Sequence, residues 1–147
     1  MTLKAQISEE MKSAMRAKES VRLGTIRLLQ AAIKQREVDE RIELADADVI
    51  SVIEKMLKQR RDSIAAYESA NRNDLADIEK AEVTVLQAYL PKQLTENEVK
   101  EVLEKVVMET GATSIKDMGK VMGAIKPLVA GKADMGKISG LIKVRLA

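Results

Sequence analysis

Thr95-Glu96-Asn97-Glu98-Val99-Lys100-Glu101-Val102-Leu103-Glu104-Lys105-Val106-Val107-Met108-Glu109-Thr110-Gly111 is the stretch whose reading decides the fold. Thr95 with Glu98 three residues later fits a capping box, and Gly111 stands where a helix end favours a left-handed residue. Between these signals Val99, Val102, Leu103, Val106 and Val107 recur at helical steps and share one face. The stretch predicts an amphipathic helix with both ends marked.

The same pattern continues in both directions. Toward the C-terminus, Ser114 is read as the cap of a helix carrying Met118, Val121, Met122, Ile125, Leu128 and Val129, and Asp134 as the cap of another carrying Ile138, Leu141, Ile142 and Leu146. Toward the N-terminus, Pro91 disfavours helical geometry at Leu90 and marks the main boundary. Ahead of it lie four more stripes: Leu3, Ile7, Met11 and Met15; Ile26, Leu29 and Ile33 behind Ser20; Val49, Ile53, Met56, Leu57, Ile64 and Tyr67 behind Asp46; and Leu75, Ile78, Val85, Leu86 and Tyr89 behind Asn73 or Asp74. The expectation is an all-α chain of about seven helices, with a four-helix N-terminal bundle over residues 1–90 and a three-helix C-terminal tail domain over residues 91–147, joined by a short turn at Leu90 to Leu94. No internal repeat, low-complexity tract or Gly/Ser linker is read along it.

Composition agrees with helices and removes much chemistry. Of 147 residues 46% are hydrophobic and 33% charged, whereas aromatics are 1% (Tyr67 and Tyr89), which favours aliphatic helices over a sheet core. Without His or Cys there is no Ser-His-Asp or Cys-His nucleophile, no conventional zinc or iron–sulfur site and no disulfide. The reading is therefore no catalytic residue, no metal and no cofactor. Charges interrupt the apolar pattern of Met1 to Met15, so no secretory h-region is present, and no apolar run approaches a membrane span. A soluble cytoplasmic protein without a membrane partner is expected.

Charge is unevenly spread. Met1 to Arg36 holds eight Lys/Arg against three Glu, and Gly111 to Ala147 holds seven against two acids. Between them, Glu37 to Glu54 carries seven acids against Arg41 alone. These acids lack the loop spacing of a calcium site and are read as a solvated connection. Arg60, beside the line of Met56, Leu57 and Ile64, is expected to cover the core edge with its stem and to pair with an acid of another helix.

The segment Lys116-Asp117-Met118-Gly119-Lys120-Val121-Met122-Gly123-Ala124-Ile125-Lys126-Pro127 is the most informative for function. Stepping about 100° per residue puts Gly119, Lys120, Gly123 and Pro127 near Lys116 and opposite the apolar stripe. Each interior glycine costs about 0.8 to 1 kcal/mol relative to alanine without filling the core, which suits close approach of something to that backbone. One reading is a bare basic face for a sugar-phosphate backbone, with Lys116, Lys120 and Lys126 supplying charge; the other is a groove in which a neighbouring helix packs. Gly131-Lys132-Ala133-Asp134 reads as a turn between helices that adds Lys132.

Leu90-Pro91-Lys92-Gln93-Leu94-Thr95, Asp117-Met118-Gly119-Lys120-Val121-Met122-Gly123 and Gly131-Lys132-Ala133-Asp134 together resemble the YqeY-like family, and Leu57 to Ser63 with Ala70 to Leu75 extend the resemblance over the full length. The C-terminal part is also similar to the tail domain of the B subunit of glutamyl/aspartyl-tRNA amidotransferase. That resemblance implies a tRNA-contacting appendage, with RNA contact carried over to Lys120 and Lys132. Glutamine-dependent carbon–nitrogen ligase chemistry belongs to other domains there, so the resemblance implies no amide-forming activity for this chain. Two functions follow as expectations: a tRNA-binding accessory protein with the site Lys116, Gly119, Lys120, Gly123, Lys126 and Lys132 and no DNA ligand, or a helical adaptor whose glycine face receives a protein partner.

Overall fold

The computed structural model describes all residues, Met1–Ala147, and is helical without a strand. Seven α-helices follow in order: α1 (Leu3–Arg16), α2 (Ser20–Glu40), α3 (Asp46–Ser69), α4 (Asn73–Gln87), α5 (Glu96–Thr110), α6 (Met118–Val129) and α7 (Met135–Leu146). A single 3-10 turn, Ile115–Asp117, leads into α6. The chain divides into two compact units, Met1–Leu90 and Pro91–Ala147.

In the first unit Ile7, Ile26, Leu29, Ile53, Leu57 and Leu86 meet in one core and are almost wholly buried. Five residues of the expected stripes stand outside it: Met15, Ile64, Tyr67, Leu75 and Ile78. Met15 is exposed near the end of α1, and Ile78 is exposed on α4, where Ala76 takes the buried place. Several caps also differ from the sequence reading. Ser20, Asp46 and Asn73 are the first residues of their helices, one step too far in for their side chains to cap them. Asp46 instead accepts the Leu3 N–H at 2.9 Å, so it serves the start of α1, and Asp48 accepts the Ala45 N–H at 3.1 Å. Glu37 is held between the Lys4 ammonium at 2.6 Å and the Leu44 N–H at 2.9 Å, and these donors hold its carboxyl below the ordinary range. The acidic connection therefore consists partly of caps and clamps.

Arg60 lies where its stem covers the core edge. Its Nε donates to Glu82 on α4 at 2.8 Å, joining the two helices with little solvent access to either side chain.

In the second unit Thr95 caps α5 by accepting the Glu98 N–H at 3.2 Å, and Gly111 ends it at φ 68°. Val99, Leu103, Val106 and Val107 of α5 share a core with Val121, Ile125 and Val129 of α6 and with Ile138, Ile142 and Leu146 of α7. The last two helices correct the expectation of no repeat. Asp117-Met118-Gly119-Lys120-Val121-Met122-Gly123-Ala124-Ile125-Lys126-Pro127-Leu128-Val129-Ala130 returns as Asp134-Met135-Gly136-Lys137-Ile138-Ser139-Gly140-Leu141-Ile142-Lys143-Val144-Arg145-Leu146-Ala147, with eight of fourteen positions identical. The copies lie so close, 17 residues apart, that they form successive helices of one core.

Replacing Arg60 by Ala strands the Glu82 carboxylate between α3 and α4. Urea unfolding is expected to show a loss of about 2 kcal/mol, and Glu82→Ala added to it should cost less than it does alone.

Candidate nucleic-acid interface

The candidate face begins at the turn that starts α6. Asp117 accepts the Thr113 N–H at 2.9 Å and the Ser114 N–H at 3.4 Å, and these two backbone donors hold its carboxyl below the usual carboxylate range. Ser114 therefore precedes the 3-10 turn and does not cap α6. Lys116 lies within that turn, exposed, and so leaves the helical face on which uniform 100° steps place it, because a 3-10 turn advances by three residues.

Along α6 the buried stripe is narrower than expected. Val121, Ile125 and Val129 are wholly buried, Met118 and Met122 are half-buried, and Leu128 is 49% exposed. Opposite that stripe Gly119, Lys120, Gly123, Lys126 and Pro127 are all exposed. Helical geometry sets the glycine row between Lys126 on one edge and Lys120 on the other. A Cβ built at Gly119 or Gly123 meets no atom within 4 Å, so neither α5 nor α7 packs there and the glycines are not a packing groove within this unit. Pro127 adds to the bareness, since it has no N–H to give to the Gly123 carbonyl one turn back.

Lys132 reaches the same unit's surface from the α6–α7 turn. Gly131 is buried at φ 72°, a conformation glycine takes at little cost. Its carbonyl accepts from Gln93 Nε2 at 2.7 Å, and the Lys132 carbonyl accepts from the Leu94 N–H at 2.8 Å. Gln93 and Leu94 thus fix the backbone that bears Lys132. The sequence marks them as a connecting turn, and their one further signal is their place in the family-like Leu-Pro-Lys-Gln-Leu run.

The electrostatics are one-sided. Of the seven cations from Gly111 to Ala147, Arg145 pairs with Glu104, and the two acids of that stretch accept backbone N–H groups: Asp117 as above and Asp134 from Gly136 at 3.0 Å. Lys116, Lys120, Lys126 and Lys132 are all exposed, and Lys120 is near enough to Asp117 to help hold that carboxyl low. No group of three or more His, Cys, Asp or Glu side chains converges anywhere on a point where a metal ion could sit.

An all-helical chain ending in a small cationic three-helix unit is the class of protein that fold and surface define. The model of the YqeY-like protein family matches residues 4–146, and the chain belongs to that family. It is similar to proteins named altered inheritance of mitochondria protein 41, mitochondrial: 32% identical to that of Pyrenophora tritici-repentis over 87% of this chain and 71% of the relative, and 29% identical to that of Meyerozyma guilliermondii over 85% and 75%. In the Eremothecium gossypii relative the match is 36% identical over 58% of this chain and spans about half (48%) of that protein. These names correct the cytoplasmic expectation by pointing to mitochondria. Lack of an h-region bears on the secretory route alone, because mitochondrial targeting segments are amphipathic. No helix is long and apolar enough to cross a membrane.

Open space above the glycines makes a direct prediction. Gly119→Ala and Gly123→Ala should each raise stability by about 0.5 to 1 kcal/mol in thermal or urea unfolding, whereas glycines needed for packing inside the chain would lower it.

Proposed function

We propose that this protein is a tRNA-binding accessory protein whose α6 face, with Gly119 and Gly123 flanked by Lys120 and Lys126, lies against a phosphate backbone while Lys116 and Lys132 add charge from the adjoining turns. The carrying observation is the uncovered glycine row inside a cationic surface. Two glycines give up about 2 kcal/mol of helix stability, and the space that a side chain at either would fill is left to something outside the chain. Phosphates match this surface because cations outnumber acids seven to two from Gly111 to Ala147 and the α6 backbone is approachable. The similarity of the tail to a tRNA-contacting domain supports tRNA as the first RNA to test. Turnover of ATP or glutamine forms no part of the proposal.

A protein helix seated on the same glycines is the second reading, favoured by the half-buried Met122, which borders Gly119 around the helix. Salt separates the two, since phosphate contacts release counterions and an apolar contact does not. With total tRNA, Lys120→Gln/Lys132→Gln should weaken binding and lower the slope of log affinity against log salt by about 1.4 to 1.8, the value for two lost phosphate contacts, with unfolding unchanged. Gly123→Leu should block tRNA sterically. If that variant binds tRNA as before and loses a co-purifying protein, the adaptor reading replaces this one.

A further inference from the structure

We infer that α7 carries a second phosphate-contacting face equivalent to that of α6, and that the ligand is a folded RNA offering two backbone segments to this unit. The inference rests on the RNA reading of α6 and extends it to residues which that reading leaves unused. Within the repeat, every buried position of α6 has a buried counterpart on α7: Val121 with Ile138, Ile125 with Ile142, Val129 with Leu146. The outward positions correspond as well. Lys137 and Lys143 stand where α6 has Lys120 and Lys126, and both are exposed. Gly140 is as open as Gly123, with no atom within 4 Å of a built Cβ, and the one close neighbour at Gly136 is its own cap, Asp134 Oδ1, at 3.3 Å.

A solvated surface accounts for scattered lysines, but not for the same lysine pair repeated at matching positions of two helices, on a stretch from Gly111 to Ala147 whose two acids, Asp117 and Asp134, both accept backbone N–H groups. Because both apolar stripes enter one core, the two lysine faces turn away from it on different helices, and one extended strand laid along α6 leaves Lys137 and Lys143 idle. The choice of RNA follows from what is missing as well. Single-strand binders stack bases on aromatic side chains, and residues 91–147 contain none, both tyrosines lying before Pro91. Lysines without a stacking platform suit the backbone of a double-helical or folded RNA, recognised by shape and phosphates.

The test measures salt dependence of binding for total tRNA and for a twelve-residue single-stranded oligouridylate, using the full chain, Lys137→Gln/Lys143→Gln and Lys137→Arg/Lys143→Arg, with circular dichroism melting as the control for folding. The glutamine variant should lower the tRNA slope by about 1.4 to 1.8 and leave the oligouridylate slope unchanged, while the arginine variant keeps both. An unchanged tRNA slope, with the Lys120/Lys132 variant still reducing it, overturns the second face and leaves the first standing. If neither pair alters the slope, the RNA reading of α6 falls too. Equal loss on tRNA and the single strand overturns the folded-RNA assignment, and wild-type binding to polyglutamate as tight as to tRNA overturns RNA as the ligand class.

Discussion

Burial of Val121, Ile125 and Val129 on one side of α6 is the constraint on which the rest of the second unit depends. Each fully buried aliphatic side chain contributes about 1.5 to 3 kcal/mol, so the stripe outweighs the roughly 2 kcal/mol given up by Gly119 and Gly123 and fixes the rotation of the helix about its axis. With that rotation set, the glycines and Lys120 have to face outward. The exposed surface is therefore a consequence of core packing, and its composition can change without disturbing the fold.

The same division of labour runs through the neighbouring segments. Asp117 and Asp134 each accept backbone N–H groups at a turn, which orders the starts of α6 and α7. Gln93 and Leu94 hold the Gly131–Lys132 backbone, so the chain just beyond Pro91 fixes a turn that carries positive charge. In the first unit, carboxylates are likewise used on structure: Glu37 clamps Lys4, Asp46 caps α1 and Glu82 holds Arg60. The acidic and basic stretches of the sequence thus differ in kind, the former largely engaged within the chain and the latter, at the C-terminal end, largely exposed.

Legibility from sequence followed the range of the interactions involved. The seven helices and the ends of α5 rest on local periodicity and on Thr95 and Gly111, which act within four residues of themselves, and they were readable. Arg60 was readable because its position beside the apolar line required a partner acid. Asp46 was not, since its partner, the Leu3 N–H, lies 43 residues away and no local pattern encodes it. Lys116 was misplaced because a 3-10 turn breaks the uniform rotation assumed for a helix. The repeat of α6 in α7 is carried by eight identical positions 17 residues apart, a spacing that cap and stripe signals, each confined to one helix, do not register. Gly119 and Gly123 were picked out correctly as facing away from the core, but only the folded chain shows that nothing covers them.

Lysine acetylation footprinting with and without tRNA, read by mass spectrometry, tests the central claim that this surface is left bare for an RNA backbone. Lys120, Lys126 and Lys132 should be protected in the presence of tRNA while the equally exposed Lys55, Lys58, Lys100 and Lys105 remain reactive. Modification of Lys120 and Lys132 to the same extent with and without tRNA, or protection confined to Lys55 and Lys58, would contradict it.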